Sequence, residues 1–254
     1  MTTQTELLSG NEAIARGAYE AGVTVATGYP GTPSTEILEA IAVFKPDIYS
    51  EWSPNEKVAL EVAVGASFTG ARAIVTMKHV GLNVAADPLM TFAYIGAVGG
   101  LVICVADDPG MHSSQNEQDT RHYARFAKIP IFEPSDSGEA LDYTALAFRI
   151  SEQFQTPVIL RTTTRVGHSR SLVALGERAQ PAKSAGFIKN PPRYVPIPMW
   201  GRVMRRTVEE RLLKLSRAAC ESPANRIEMR DPGLGIITSS IAYQYVREIW
   251  PEAS

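Results

Sequence analysis

Residues 1–164 predict an α/β fold of three layers, with helices over both faces of a mostly parallel sheet. Three observations carry this expectation. Short apolar runs alternate with segments of helical period. The runs themselves are apolar, as strands covered on both faces are. Loops of glycine, proline and polar residues follow them, at the strand ends where such sheets bind ligands.

In chain order, helices are expected at residues 11–21, 33–44, 54–69, 82–95, 117–128 and 138–154. Strands are expected at "VTVATGY" (23–29), "AIVTM" (73–77), "LVICVA" (101–106), "PIFEP" (130–134) and "PVILRTT" (157–163). One uncharged stretch, "PLMTFAYIGAVGGLVICVA" at residues 88–106, approaches the ~20 residues of a membrane helix. Gly99 and Gly100 divide it, and Asp87 and Asp107 bracket it. A buried helix, a turn and a strand are therefore expected.

After Thr164 the character changes. Residues 165–201, including "NPPRYVPIPMWG", read as an extended linker, and a polar helix is expected at about 206–219. From Gly233, "GLGIITSSIAYQYVREIW" reads as a strand, a serine-rich turn and a helix. One such unit cannot bury its own faces. The expected organisation is thus a first domain at 1–164, a linker with one helix at 165–230, and at 231–254 the start of a second α/β domain, cut short.

The 254 residues, 44% hydrophobic and 20% charged, suit one domain or slightly more. A formal net charge of −2 offers no basic field, so neither nucleic acid nor an acidic membrane is indicated as a partner. Cys104 and Cys220 stand far apart, which excludes a disulfide framework and a cysteine-ligated cluster within these residues. That usage fits a reducing cytoplasm, and the polar opening "MTTQTELLSG" does not read as a signal peptide.

Four stretches are candidates for chemistry. In "SPNEKVALEVAVGA" (53–66), Glu56 heads a helix of small apolar residues. Ser53 as N-cap, Pro54 as first helical residue and Glu56 as capping-box partner give a purely local reading. The other reading is a carboxylate aimed at a ligand. In "GYPGTPSTEI" (28–37), Thr32 as N-cap and Pro33 behind it make a helix start. The same geometry suits an anion, with Gly31 permitting close approach. "KHVGLN" (78–83) places His79, Gly81 and Asn83 at a strand end, and "DDPGMHSSQNEQDTR" (107–121) is a polar loop with Ser113 or Ser114 as a possible cap. No nucleophile elbow, P-loop, His-Glu-x-x-His pair or dinucleotide fingerprint is present.

Together with "LLSGNEAIARGAYEAGV", "YVPIP" and "GIITSSIAYQYV", these motifs resemble the N-terminal part of the indolepyruvate ferredoxin oxidoreductase large (alpha) subunits. That family belongs to the thiamine-diphosphate-dependent 2-oxoacid:ferredoxin oxidoreductases. The resemblance covers essentially the whole chain and implies the pyrimidine-binding type of thiamine-diphosphate domain. It implies that Glu56 contacts N1′ of the aminopyrimidine, favouring the imino form that takes the C2 proton. A dry wall at residues 63–66 would strengthen that bond. It also implies Gly81 beside the cofactor, and Thr32, His79 and Asn83 on the substrate side.

Two motifs of the family are absent: a Gly-Asp-Gly…Asn motif holding Mg²⁺ and diphosphate, and a cysteine-rich ferredoxin-like segment carrying iron–sulfur clusters. The resemblance therefore implies half an active site, completed by a missing domain or by a separate subunit. Its expected partners are the beta subunit, ferredoxin, CoA and an aromatic 2-oxoacid, which is oxidatively decarboxylated to an acyl-CoA. A split non-oxidative decarboxylase and a non-catalytic partner subunit are the alternatives.

Overall fold

The computed structural model describes residues 4–181 and 186–254. Residues 1–3 of the polar opening and residues 182–185 of the expected linker lie outside the described residues. The main sheet has six parallel strands in the order β3-β2-β4-β5-β7-β6. They are β2 (Val25–Gly28), β3 (Tyr49–Trp52), β4 (Ala73–Lys78), β5 (Leu101–Asp107), β6 (Ile131–Phe132) and β7 (Val158–Thr163). The three-layer expectation is borne out by how successive residues of one strand divide between two cores. Val102 and Cys104 face α1 (Gly10–Glu20) and α7 (Ser137–Phe154), in the core with Ile14, Ala18, Ala147 and Phe148. Leu101, Ile103 and Val105 face α3 (Glu56–Phe68) and α5 (Ala86–Ile95), in the core with Leu60, Ala63, Leu89 and Phe92. The two-residue side-chain period of a strand produces this division.

The uncharged stretch forms α5, a turn and β5, and no helix of the described residues is long and apolar enough to cross a membrane. Gly96, at φ 81°, ends α5 in a conformation that side chains resist.

Several expectations need correction. The helix expected at 82–95 is two helices, α4 (His79–Val84) and α5, separated at Ala85. The helix expected at 117–128 shortens to α6 (Arg121–Ala127). Strand β3 had no apolar signal because it is a partly exposed edge strand. The stretch expected as linker opens instead with α8 (Thr164–His168) and β8 (Arg170–Ala174), and β8 returns antiparallel to β1 (Thr5–Ser9). The strand expected after Gly233 does not form. Among the described residues the backbones of Leu234 and Ile236 hydrogen-bond to Ser254 alone, which is what an apolar segment without a neighbouring ladder can do.

Beyond the short α9 (Pro191–Tyr194), the polar helix is longer than expected, α10 at Pro198–Cys220, and α11 (Ile241–Ile249) buries none of its residues. The buried face of α10 carries Met204, Val208, Arg211 and Leu215. Arg211 donates to Gln155 O at 3.1 Å and to Ala93 O, so one guanidinium serves the carboxyl ends of α7 and α5. Carbonyls at helix ends lack intrahelical partners and attract cations. Burial pushes the Arg211 pKa down to about 10.

Candidate functional site

The carboxyl ends of β2, β4, β5 and β7 share one edge of the sheet, with Gly28 opposite Thr76, Lys78 opposite Ala106, and Asp107 opposite Thr163. The loops that leave them are tied to one another. Lys78 Nζ donates to Ser113 O at 2.8 Å, and Ser113 Oγ to Thr32 O at 3.1 Å. Gly31 lies over the Lys78 stem, where an added Cβ would stand 3.2 Å from Lys78 Cβ.

Glu56 is the first residue of α3, and it is not the capping partner that one sequence reading made it. Asn55, extended at φ −165° and ψ 172°, takes the cap position, and its Oδ1 accepts from Val58 N at 3.0 Å. Ser53 instead donates its backbone N–H to Gly28 O, fastening the chain to the end of β2. The half-buried Glu56 carboxylate is left with no hydrogen bond or ion pair among the described residues. Its side chain lies against Gly81. A Cβ there would come within 2.5 Å of Oε1, 2.6 Å of Cγ and 2.8 Å of Cδ. The wall expected from residues 63–66 is not dry, because Gly65 is exposed and only Ala59, Leu60, Ala63 and Ser67 of α3 are buried.

Thr32 is not an N-cap, because α2 (Thr35–Ala42) begins three residues later, with Ser34 in the cap position. The hydroxyls there fold back on Gly31: Ser34 Oγ donates to its carbonyl at 2.7 Å, and Thr35 Oγ1 accepts from its N–H at 2.8 Å. Thr32 itself is exposed at the strand-end opening.

His79 is 1% exposed and its Nε2 lies 3.2 Å from Asn116 O, which assigns the ring proton to Nε2 and leaves the buried Nδ1 without a partner. Asn83, one turn further along α4, is exposed; its Nδ2 donates to Gln118 Oε1 at 3.0 Å and its Oδ1 accepts from Tyr123 Oη at 2.5 Å. Both residues hold the 107–121 loop.

That loop has two further anchors that the sequence reading missed. Asp108 is fully buried and accepts from Ser113 N at 2.8 Å, Ser114 Oγ at 2.5 Å and Thr164 Oγ1 at 2.7 Å. Burial alone would raise its pKa, but these hydrogen bonds outweigh it and set the carboxyl far below the usual range. Asp107, also fully buried, pairs with Arg161 at 2.7 Å, which in turn reaches Glu133 at 2.5 Å. The adjacent acids in "DD" were the available signal, but only the fold shows that both turn inward. Among the described residues no group of three His, Cys, Asp or Glu side chains is placed to hold a metal ion. A cavity of about 1220 Å³ between the β6 edge, α10 and residues 222–254 is lined by none of Thr32, Glu56, His79, Gly81 and Asn83.

Fold and site together define an α/β domain whose candidate residues stand on the carboxyl edge of a parallel sheet. The chain belongs to the family described as pyruvate flavodoxin/ferredoxin oxidoreductase, thiamine diphosphate-binding, whose model matches residues 16–195. The resemblance carried by its motifs is thereby borne out.

The chain is 52% identical over 244 residues to the indolepyruvate oxidoreductase subunit IorA of Methanothermobacter marburgensis, covering 94% of this chain and 39% of that protein. It is 49% identical over 248 residues to IorA of Archaeoglobus fulgidus, covering 95% and 40%. A 2-oxoglutarate synthase subunit KorA of Methanothermobacter thermautotrophicus is 28% identical over 206 residues, covering 76% of this chain and 54% of that one. Among solved structures, 2-oxoglutarate:ferredoxin oxidoreductase from Magnetococcus marinus has the same fold. Its TM-score is 0.75 at 16% identity, over 97% of this chain and 51% of that one. The chain thus spans about two fifths of the length of the IorA relatives.

Proposed function

We propose that this chain is the aminopyrimidine-binding half of a 2-oxoacid:ferredoxin oxidoreductase acting on aryl 2-oxoacids, indolepyruvate foremost. The observation that carries the reading is the Glu56 carboxylate, unpartnered at the head of α3 and set against Gly81. A carboxylate freed from capping duty suits a cofactor ring nitrogen. Thiamine diphosphate, when bound, supplies the electron sink for decarboxylation. Glu56 would hold it at N1′ and share a proton there, while Gly81 gives the carboxylate and ring room to meet. Thr32, exposed in the loop after β2, is assigned to the substrate side. His79 and Asn83 fasten the 107–121 loop beside the strand ends, and His79, with its buried Nδ1 unpartnered, is assigned to the substrate side.

Mg²⁺ and the diphosphate would be held by a further domain or subunit. In support, Tyr29, Trp52, Val84 and Met111 leave large apolar surface exposed on or beside the strand-end loops, where such a domain would sit. The beta subunit, iron–sulfur clusters, ferredoxin and CoA complete the proposed oxidation to an acyl-CoA, in a reducing cytoplasm that suits the free Cys104 and Cys220. The relatives' names favour neither a split decarboxylase nor a non-catalytic partner.

The test is Glu56→Gln in the assembled enzyme, read as exchange of the cofactor's C2 proton in the absence of substrate. Exchange is expected to slow by at least ~100-fold with folding intact. Exchange at the wild-type rate would rule out this role for Glu56.

A further inference from the structure

Lys78, the last residue of β4, is only 8% exposed, yet its ammonium makes no ion pair among the described residues. Among the described residues its hydrogen-bond partner is Ser113 O, at 2.8 Å. A lysine has three donors, and a buried ammonium is costly unless it is paired. Lysines this buried normally have a counter-charge.

The buried acid Asp108 of the 107–121 loop does not supply it. Asp108 is engaged by Ser113 N, Ser114 Oγ and Thr164 Oγ1. The ammonium therefore stands between the 28–37 and 107–121 loops with donors to spare. Gly31 crosses its stem on one side, and the next residue, His79, has a buried Nδ1 that is also unmatched. Three residues along the same segment, Gly81 touches Glu56. The unpaired cation and the unpaired carboxylate thus stand on and against one short segment at the carboxyl end of β4.

We propose that the Lys78 ammonium is the counter-charge of the 2-oxoacid carboxylate. The inference rests on the function proposed for this site, and it assigns the charged end of the substrate to a residue on this chain. A 2-oxoacid has its reacting carbonyl one bond from its carboxylate, so a cation beside the cofactor's reactive end sets the substrate's orientation. The same ammonium favours acids over the corresponding aldehydes, which offer the carbonyl alone. Because the carboxylate loses its charge as CO₂ departs, this contact supports binding and does not speed the departure.

The test uses the assembled enzyme and Lys78→Gln, which retains an N–H donor for Ser113 O but carries no charge. KM for the arylpyruvate is expected to rise about 100-fold with kcat lowered by no more than ~3-fold. Binding of the unreactive arylacetate, followed by calorimetry, is expected to weaken by a similar factor. Thiamine diphosphate affinity and C2-proton exchange are expected to stay at wild-type levels, and Lys78→Arg to recover most of the loss.

Unchanged KM overturns the inference, as does a loss of cofactor affinity at constant KM, which would give the ammonium to the diphosphate. If Lys78→Gln fails to assemble, wild-type enzyme is footprinted with an amine-acylating reagent. Labelling of Lys78 is expected to fall at least ~5-fold in saturating arylacetate, and unchanged labelling overturns the proposal. The exchange assay of Glu56→Gln is scored without substrate, so failure of that reading and failure of this one are separable.

Discussion

Glu56 and Gly81 are in contact across two elements: the carboxylate that heads α3 lies where a side chain on α4 would have to go. The glycine is not required by its backbone conformation, since it is absent from the positive-φ glycines. It is required by the carboxylate.

Gly81→Ala is therefore expected to separate folding from function. The methyl would overlap Cγ, Cδ and Oε1 of Glu56, a flexible side chain able to swing aside. Within α4 the exchange gains up to ~1 kcal/mol of helix propensity. Thermal unfolding is expected to stay level or rise slightly while C2-proton exchange falls by at least ~30-fold. A large drop in melting temperature would show that Gly81 is needed for packing alone.

Asp108→Asn is expected to cost about 2 kcal/mol at neutral pH, because an amide cannot accept all the hydrogen bonds that the carboxylate accepts. The pH dependence has a definite sign. The folded pKa lies below the unfolded one, so the stabilisation is complete above the usual carboxylate value near ~4 and is lost as pH falls from there toward the folded pKa. Urea unfolding of both proteins between pH 7 and pH 2 is expected to show their difference narrowing below about pH 4. A constant difference would mean that the amide is as good a partner as the anion.

Arg211 sets two effects against each other. Its removal strands the carbonyls of Ala93 and Gln155, but it also lifts an unpaired cation out of the interior. Arg211→Ala, which adds a void, is expected to cost about 3 kcal/mol, and Arg211→Met, which fills it with apolar volume, about 1 kcal/mol. Equilibrium denaturation measures both. A costlier Met variant would show that the charge at the two helix ends outweighs its burial.

The sequence disclosed those parts of the fold whose signal is local. Strands β4, β5 and β7 are buried along their whole length and stand out as apolar runs, whereas "YSEW" at the sheet edge is indistinguishable from a loop. Strand β8 escaped notice because its partner β1 lies more than 160 residues away in the sequence.

At the site, the motif around Glu56 was legible but its cap was not. Both Ser53 and Asn55 are competent N-caps, and only the helix start at Glu56 decides between them. Lys78 stands within a motif that had drawn notice, yet a lysine in a sequence carries no sign of whether its charge is answered. The fold supplies that information, by placing Ser113 O against it and leaving it without an ion pair among the described residues.

The buried face of α10 has a consequence for whatever follows it. Met204, Val208, Arg211 and Leu215 recur at spacings of four, three and four, so the helix is fixed in rotation as well as in place. Its 23 residues form a rod roughly 35 Å long. Helix α10 is thus a crankshaft with a set phase. Inserting one residue between Arg211 and Leu215 would turn everything beyond by about 100°, whereas inserting seven would nearly restore the phase and lengthen the arm by about 10 Å.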